Sequence, residues 1–310
     1  MKFSYFIILI SSLLMAEPDS SSAQPALPVI NKLWNFNDPA TTRAKFLELV
    51  PKAESSGDKS YYLELLTQIA RTYSLQENFT EAHKLLDTVE RQLTSDLALV
   101  KVRYLLERGR TFNSANDQAK ALPLFTEAVE IGKNIHKMGY AIDAVHMVAI
   151  AKSDPKEQVE WNLKGIEMAN EDTMQKAWLH ALYNNIGESY LRLKDYASAY
   201  HYFHLLAELQ LEQYGKADIY TIKDEAKALT LSGKPAEALM LMEEVSKKLE
   251  SDKEQNGWIE NELAEALYAL DRKAEALPHF QKAYQLLLKD DYCVKFEPER
   301  LEHLKKMSDQ

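Results

Sequence analysis

Residues 182–203 read LYNNIGESYLRLKDYASAYHYF, and residues 264–283 read AEALYALDRKAEALPHFQKA. Both follow one rule. A small residue (Gly187, Ala264) is followed three positions on by an aromatic or aliphatic residue (Tyr190, Leu267), and twelve positions on by a second small residue (Ala199, Ala276). Apolar residues then stand four and seven beyond it: Phe203 and Leu206, Phe280 and Ala283. Sliding the rule along the chain finds Ala70, Tyr73, Ala82, Leu86, Val89 and Gly109, Phe112, Ala121, Phe125, Ala128. Another copy is Ala226, Leu229, Ala238, Met242, Val245, and a weaker one is Met147, Ile150, Val159, Leu163, Ile166. The first marks step by 39, 38, 40, 39 and 38 residues, while the interval from first to second mark is always twelve. Constant length inside a unit and variable length between units is the signature of a stacked supersecondary repeat.

Within each half the apolar residues recur at helical spacing, as in Leu66, Ile69, Ala70 and Tyr73. Turn residues separate the halves, among them Asn116-Asp117, Lys194-Asp195 and Ser232-Gly233-Lys234-Pro235. Asp154-Pro155 and Asp38-Pro39 place an N-cap before a proline at the first helical position. Each copy is therefore a pair of helices, closely approached where the marks are small. Pro123 and Pro278 fall two residues after the second mark and predict a bend or a late helix start.

These residues resemble the tetratricopeptide repeat family: the small residue, the Tyr or Phe three later, and the Ala with Phe and Ala four and seven beyond. The resemblance covers roughly residues 60–290; the period is about 39, longer than the family's own, and the third copy lacks both small residues. It implies an all-α chain, a right-handed superhelical solenoid of about six stacked antiparallel helix pairs. An extra N-terminal helix is expected over 39–56 and a charged C-terminal capping helix over 298–308. The repeats are expected near 63–96, 102–137, 140–171, 180–214, 219–250 and 257–290, in one domain from 38 to 308 after a linker at 24–37.

Composition narrows the chemistry. The chain has 310 residues, nine glycines and one cysteine. No two glycines are close enough for a phosphate-binding loop or a serine-nucleophile elbow. A single cysteine, Cys293, builds neither a zinc knuckle nor an internal disulfide, and reads as a buried small apolar residue. The net charge of -10 argues against nucleic acid as a partner. His201 and His204 lie three apart with His180 nearby, yet no carboxylate or cysteine completes a metal set in the sequence. Acidic pairs such as Glu243-Glu244 diverge on a helix and read as solvated charge. No catalytic residue, metal or cofactor is expected.

Lys2, the apolar run Phe3–Met15 and the small residues near Ala23 match a secretory signal peptide over residues 1–23, cleaved between Ala16 and Ala23. The run is too short for a membrane span. The mature protein is expected to be exported, periplasmic or secreted, with no stable membrane anchor.

In the resembled family the first helix of each repeat lines a concave groove through positions -6, -3, +1, +4 and +5 from the first mark. Carried over, these give the candidate peptide-binding residues Arg71, Arg103, Arg110, Asn113, Asn184, Arg192, Tyr220, Lys223, Lys227, Trp258 and Asn261. Of the thirty residues so placed, seven are basic and three acidic, a balance of +4 on an acidic chain. The expectation is a non-catalytic protein–protein interaction scaffold of the cell envelope, holding a peptide segment or acidic tail. The alternatives are a self-assembling structural repeat protein and a cytosolic peptide-sensing regulator.

Overall fold

The computed structural model describes residues 27–309; the expected signal peptide lies outside them. The described chain is helical without strands, and it divides into two compact units at Leu182/Tyr183. The first unit holds α1 (Pro39–Ser55), α2 (Lys59–Leu75), α3 (Phe79–Glu90), α4 (Ala98–Ser114), α5 (Gln118–Asn134), α6 (Met138–Ala151) and α7 (Pro155–Glu171). Short 3-10 turns precede α1 at Ile30–Leu33 and follow α7 at Thr173–Trp178. The division falls inside α8 (Leu179–Leu193). Beyond it come α9 (Tyr196–Tyr214), α10 (Ile219–Leu231), α11 (Pro235–Ser251), α12 (Gly257–Ala269), α13 (Lys273–Leu287), α14 (Asp291–Phe296) and α15 (Pro298–Ser308). The second helices of the pairs run to 19 residues in α9, which takes up part of the long period.

Side-chain caps start most of these helices. Asp58 accepts from Tyr61 N at 2.9 Å, Asp117 from Lys120 N at 3.2 Å and Asp195 from Ser198 N at 3.1 Å. Each such cap contributes about 1 kcal/mol. The turns within the pairs are held by backbone. In five repeats one residue is left-handed: Glu77 (φ 59°), Asn116 (62°), Lys194 (60°), Gly233 (84°) and Asp271 (59°). The next N–H then returns to the carbonyl of the residue three past the first mark. The pairs are Asn78 to Tyr73 (2.9 Å), Asp117 to Phe112 (2.9 Å), Asp195 to Tyr190 (3.0 Å), Lys234 to Leu229 (2.9 Å) and Arg272 to Leu267 (3.0 Å). This is a Schellman closure, and its fixed length explains the constant interval inside the repeats.

The third repeat departs from the rule. Lys152 is extended (φ -73°, ψ 142°), so the turn lacks its left-handed residue and α7 begins one position early. The buried stripe of α7 moves with it. Gln158, Asn162 and Gly165 face inward, and Leu163, expected in the core, is 41% exposed. The second mark of this repeat is Gln158 rather than Val159.

Helix pairs close over the marks. A Cβ on Gly109 would lie 2.5 Å from the Phe125 ring, and one on Gly187 would lie 2.7 Å from Phe203. Phe125, Phe203 and Phe280 are fully buried. Pro123 and Pro278 sit well inside α5 and α13, whose starts are not delayed. Successive first helices also pack on one another, α2 on α4, α4 on α6, and α10 on α12. Within the segment expected as a linker, Ile30 is buried and Trp34 meets Phe46, while Val29, Lys32, Asn35 and Asn37 are exposed.

Candidate binding faces of the first helices

In the first unit the candidate arginines are engaged by carboxylates of neighbouring helices. Arg71 Nη1 on α2 donates to Glu107 Oε2 on α4 at 3.0 Å. Arg110 donates to Glu107 Oε1 at 2.9 Å and pairs with Asp143 on α6. Arg103 reaches back to Glu64 Oε1 on α2 at 2.7 Å and to Asn31 Oδ1 at 2.8 Å, with the Tyr140 ring of α6 5.0 Å from its Cζ. Glu107 is 2% exposed; burial opposes its charge, but Arg110, Arg71 and Arg103 together hold its pKa below the ordinary carboxylate value. Asn113, near the end of α4, is half-buried, and its Oδ1 has no hydrogen-bond partner among the described residues.

In the second unit Lys223 Nζ on α10 pairs with Asp224 at 2.7 Å, and its ammonium lies 5.5 Å from the Trp258 ring on α12. Arg300 on α15 approaches the same ring, its Cζ 5.0 Å from the centroid, and Trp258 Nε1 donates to Asp290 at 3.2 Å. Lys227 is half-buried and acts electrostatically on Glu188 and Glu262. Burial raises the pKa of both acids, with Asp224 adding to the effect on Glu188. Asn184 and Asn261 are buried, and Asn261 Oδ1 has no hydrogen-bond partner among the described residues. Tyr220 is 42% exposed, and Arg192 is half-buried near the end of α8. Of the histidines, His204 is engaged by Glu225 at 2.7 Å and His201 lies against the Tyr202 ring.

The five-position reading missed the residues that balance this face. Glu107, Asp224 and Glu262 all stand two before the first mark of their repeats, four after position -6 and three before +1. That places them on the same helical stripe as the candidates. Counting that position lowers the balance from +4 to +1, and Asp143 brings it to zero. The signal was present in the sequence as a sixth stripe position.

Residues 27–37 were also missed as part of a site. They lie on the stripe of α2 formed by Tyr61, Gln68 and Arg71. Tyr61 Oη donates to Pro28 O at 2.7 Å, Trp34 Nε1 donates to Gln68 Oε1 at 3.0 Å, and Arg71 Cζ is 5.5 Å from the Phe36 ring.

The Tyr61 hydroxyl and Arg103 engage a carbonyl and an amide oxygen of residues 28–31, whereas the buried guanidinium–carboxylate pairs around Glu107 tie α2, α4 and α6 together. Comparison with solved structures agrees with the fold. The apo form of RapI superposes with a TM-score of 0.66 at 12% identity, over 90% of this chain and 85% of that one. A signal-transduction ATPase with a tetratricopeptide repeat sensor from Pyrococcus horikoshii gives 0.67 at 17% identity, over 86% of this chain and 42% of that longer one. No protein-family model matches the chain, and no curated protein matches it in sequence. The fold is that of tetratricopeptide-repeat proteins.

Proposed function

We propose that the protein is a non-catalytic interaction scaffold of the cell envelope, which holds a peptide segment of another protein along the free faces of its first helices. The observation that carries this reading is the first unit's contact with its own residues 28–31, which run from an extended Val29 into the 3-10 turn at Ile30 and are held through a tyrosine hydroxyl and an arginine. The export signal read at residues 1–23 supports the envelope location.

Charge reversal at Arg71 or Arg110 is a poor test, because both lie in buried pairs with Glu107. Tyr220 and Leu231 are better probes: both are exposed, at 42% and 46%, and both occupy groove positions of α10. The mature protein and its Tyr220→Asp/Leu231→Asp variant are used to capture partners from an envelope extract. A partner held by the first and lost by the second supports the reading. Equal capture moves the site off this face. Amino-terminal sequencing of the cell-derived protein tests location: an intact Met1 in the cytosolic fraction would end the envelope assignment.

A further inference from the structure

Two kinds of contact hold residues 28–36. Downstream, Trp34 stacks on Phe36 with centroids 4.4 Å apart and meets Phe46 of α1, itself fully buried, edge-on at 5.4 Å. That part is anchored in the core beside α1. Upstream, the chain is held by Tyr61 on the Pro28 carbonyl, by Arg103 on the Asn31 amide, and by the buried Ile30 side chain between them. Neither polar contact depends on where the peptide comes from. A phenol can donate to any backbone carbonyl. Arg103 is already neutralised by Glu64 at 2.7 Å, so its remaining donor favours a neutral amide oxygen over a second carboxylate.

We propose that residues 28–31 are an internal competitor. They fill in cis a seat on α2 and α4 that receives a peptide of a partner protein, one presenting an apolar residue followed by Asn or Gln at the start of a 3-10 turn, as Ile30 and Asn31 do. The proposal rests on the scaffold reading above and names its ligand chemistry in the first unit. The anchor at Trp34 keeps the displaced segment tethered, so it returns at a local concentration on the order of millimolar. Only a partner that exceeds this competition occupies the seat.

The probe is a fluorescein-labelled synthetic peptide of residues 26–33, followed by polarisation with the full mature chain. Asn31→Lys sets a second cation against Arg103 and expels the segment in cis. The expected result is labelled-peptide binding at least tenfold tighter to Asn31→Lys than to the wild type, and loss of that gain when Tyr61→Phe is added. Equal binding to wild type and Asn31→Lys overturns the proposal, as does binding indifferent to Tyr61→Phe. Hydrogen exchange of the wild type provides a check that needs no variant. Amides of residues 29–33 should exchange at least tenfold faster than those in the middle of α4, and equal protection overturns the proposal. Capture through Tyr220 and Leu231 reads a face of the second unit, so the scaffold reading and this one fail separately.

Discussion

Glu107 Oε2 accepts from Arg71 Nη1 at 3.0 Å, joining α4 to α2 through a carboxylate that is 2% exposed. The pair tells against an open basic surface and for a structural tie. Removing one member of a buried pair leaves the other charge uncompensated, at about 3–5 kcal/mol. Glu107→Leu should therefore lower stability by about 3 kcal/mol, and Arg71→Met by less, since Arg110 still serves Glu107. The double variant should cost clearly less than the two singles together. Urea unfolding of the four proteins measures the coupling; strict additivity would show that the pair contributes nothing.

Between pH 7.5 and 5, above the range where the lowered carboxyls Glu107 and Glu260 titrate, acid should act in opposite directions at His146 in the first unit and at Glu188 and Glu262 in the second. In the first, burial pushes the pKa of His146 down to about 4. The unfolded chain takes up that proton near 6.5. The contribution is complete above 6.5 and is lost as pH falls toward 4, about 3 kcal/mol in all. In the second unit Glu188 and Glu262 are raised, chiefly by burial. A raised carboxyl costs stability at neutral pH and returns it as pH falls toward the unfolded carboxyl range. Between pH 7.5 and 5, hydrogen exchange corrected for intrinsic rates should speed up in α6 and slow down in α12. Changes of the same sign in both helices would contradict these assignments.

Four of the five left-handed turn positions carry a side chain, and Glu77, Lys194 and Asp271 are exposed. An L-residue there bears a strain of about 1–2 kcal/mol, part of which glycine gives back through its extra unfolded-state entropy. Glu77→Gly, Lys194→Gly and Asp271→Gly should each stabilise the protein by about 0.5–1 kcal/mol. Asn116→Gly should do less, because asparagine tolerates the conformation. Shifts of the urea midpoint decide it.

The opposite result is expected at the helix contacts. Gly109→Ala and Gly187→Ala gain about 1 kcal/mol of helix propensity. Each also drives a Cβ to 2.5–2.7 Å from a fully buried phenylalanine ring. Overpacking of that kind costs about 1–3 kcal/mol, so both variants should be destabilised by about 1 kcal/mol net. Thermal melting lowered by a few degrees is the expected readout; an unchanged melt would mean that the rings yield freely.

The helix pairs were legible because small residues and aromatics recur where two helices touch, and side chains of fixed size leave a periodic trace. The turn of the third repeat was not. Counting from Met147 to Val159 assumes a spacer of constant length, whereas the backbone at Lys152 skips the left-handed residue and shortens it by one. The charges on the candidate faces were half legible. Arg71 and Arg110 stood out by position, and Glu107 stands on the same stripe two before the first mark, but which arginines it pairs with shows only when α2 and α4 lie side by side. Residues 28–31 gave no signal, because a carbonyl held by Tyr61 and an amide held by Arg103 leave no apolar period to find.

The short turn before α7 acts as a frameshift confined to one helix. Losing one residue rotates everything after it by about 100°, so Leu163 turns outward and Asn162 takes its place inside. The step of 40 residues to Gly187 restores the frame in the next repeat. Within the first unit, a surface that meets α3, α5 and α7 in turn finds Leu163 outward on the last, where the repeat rule would have kept an apolar residue inside.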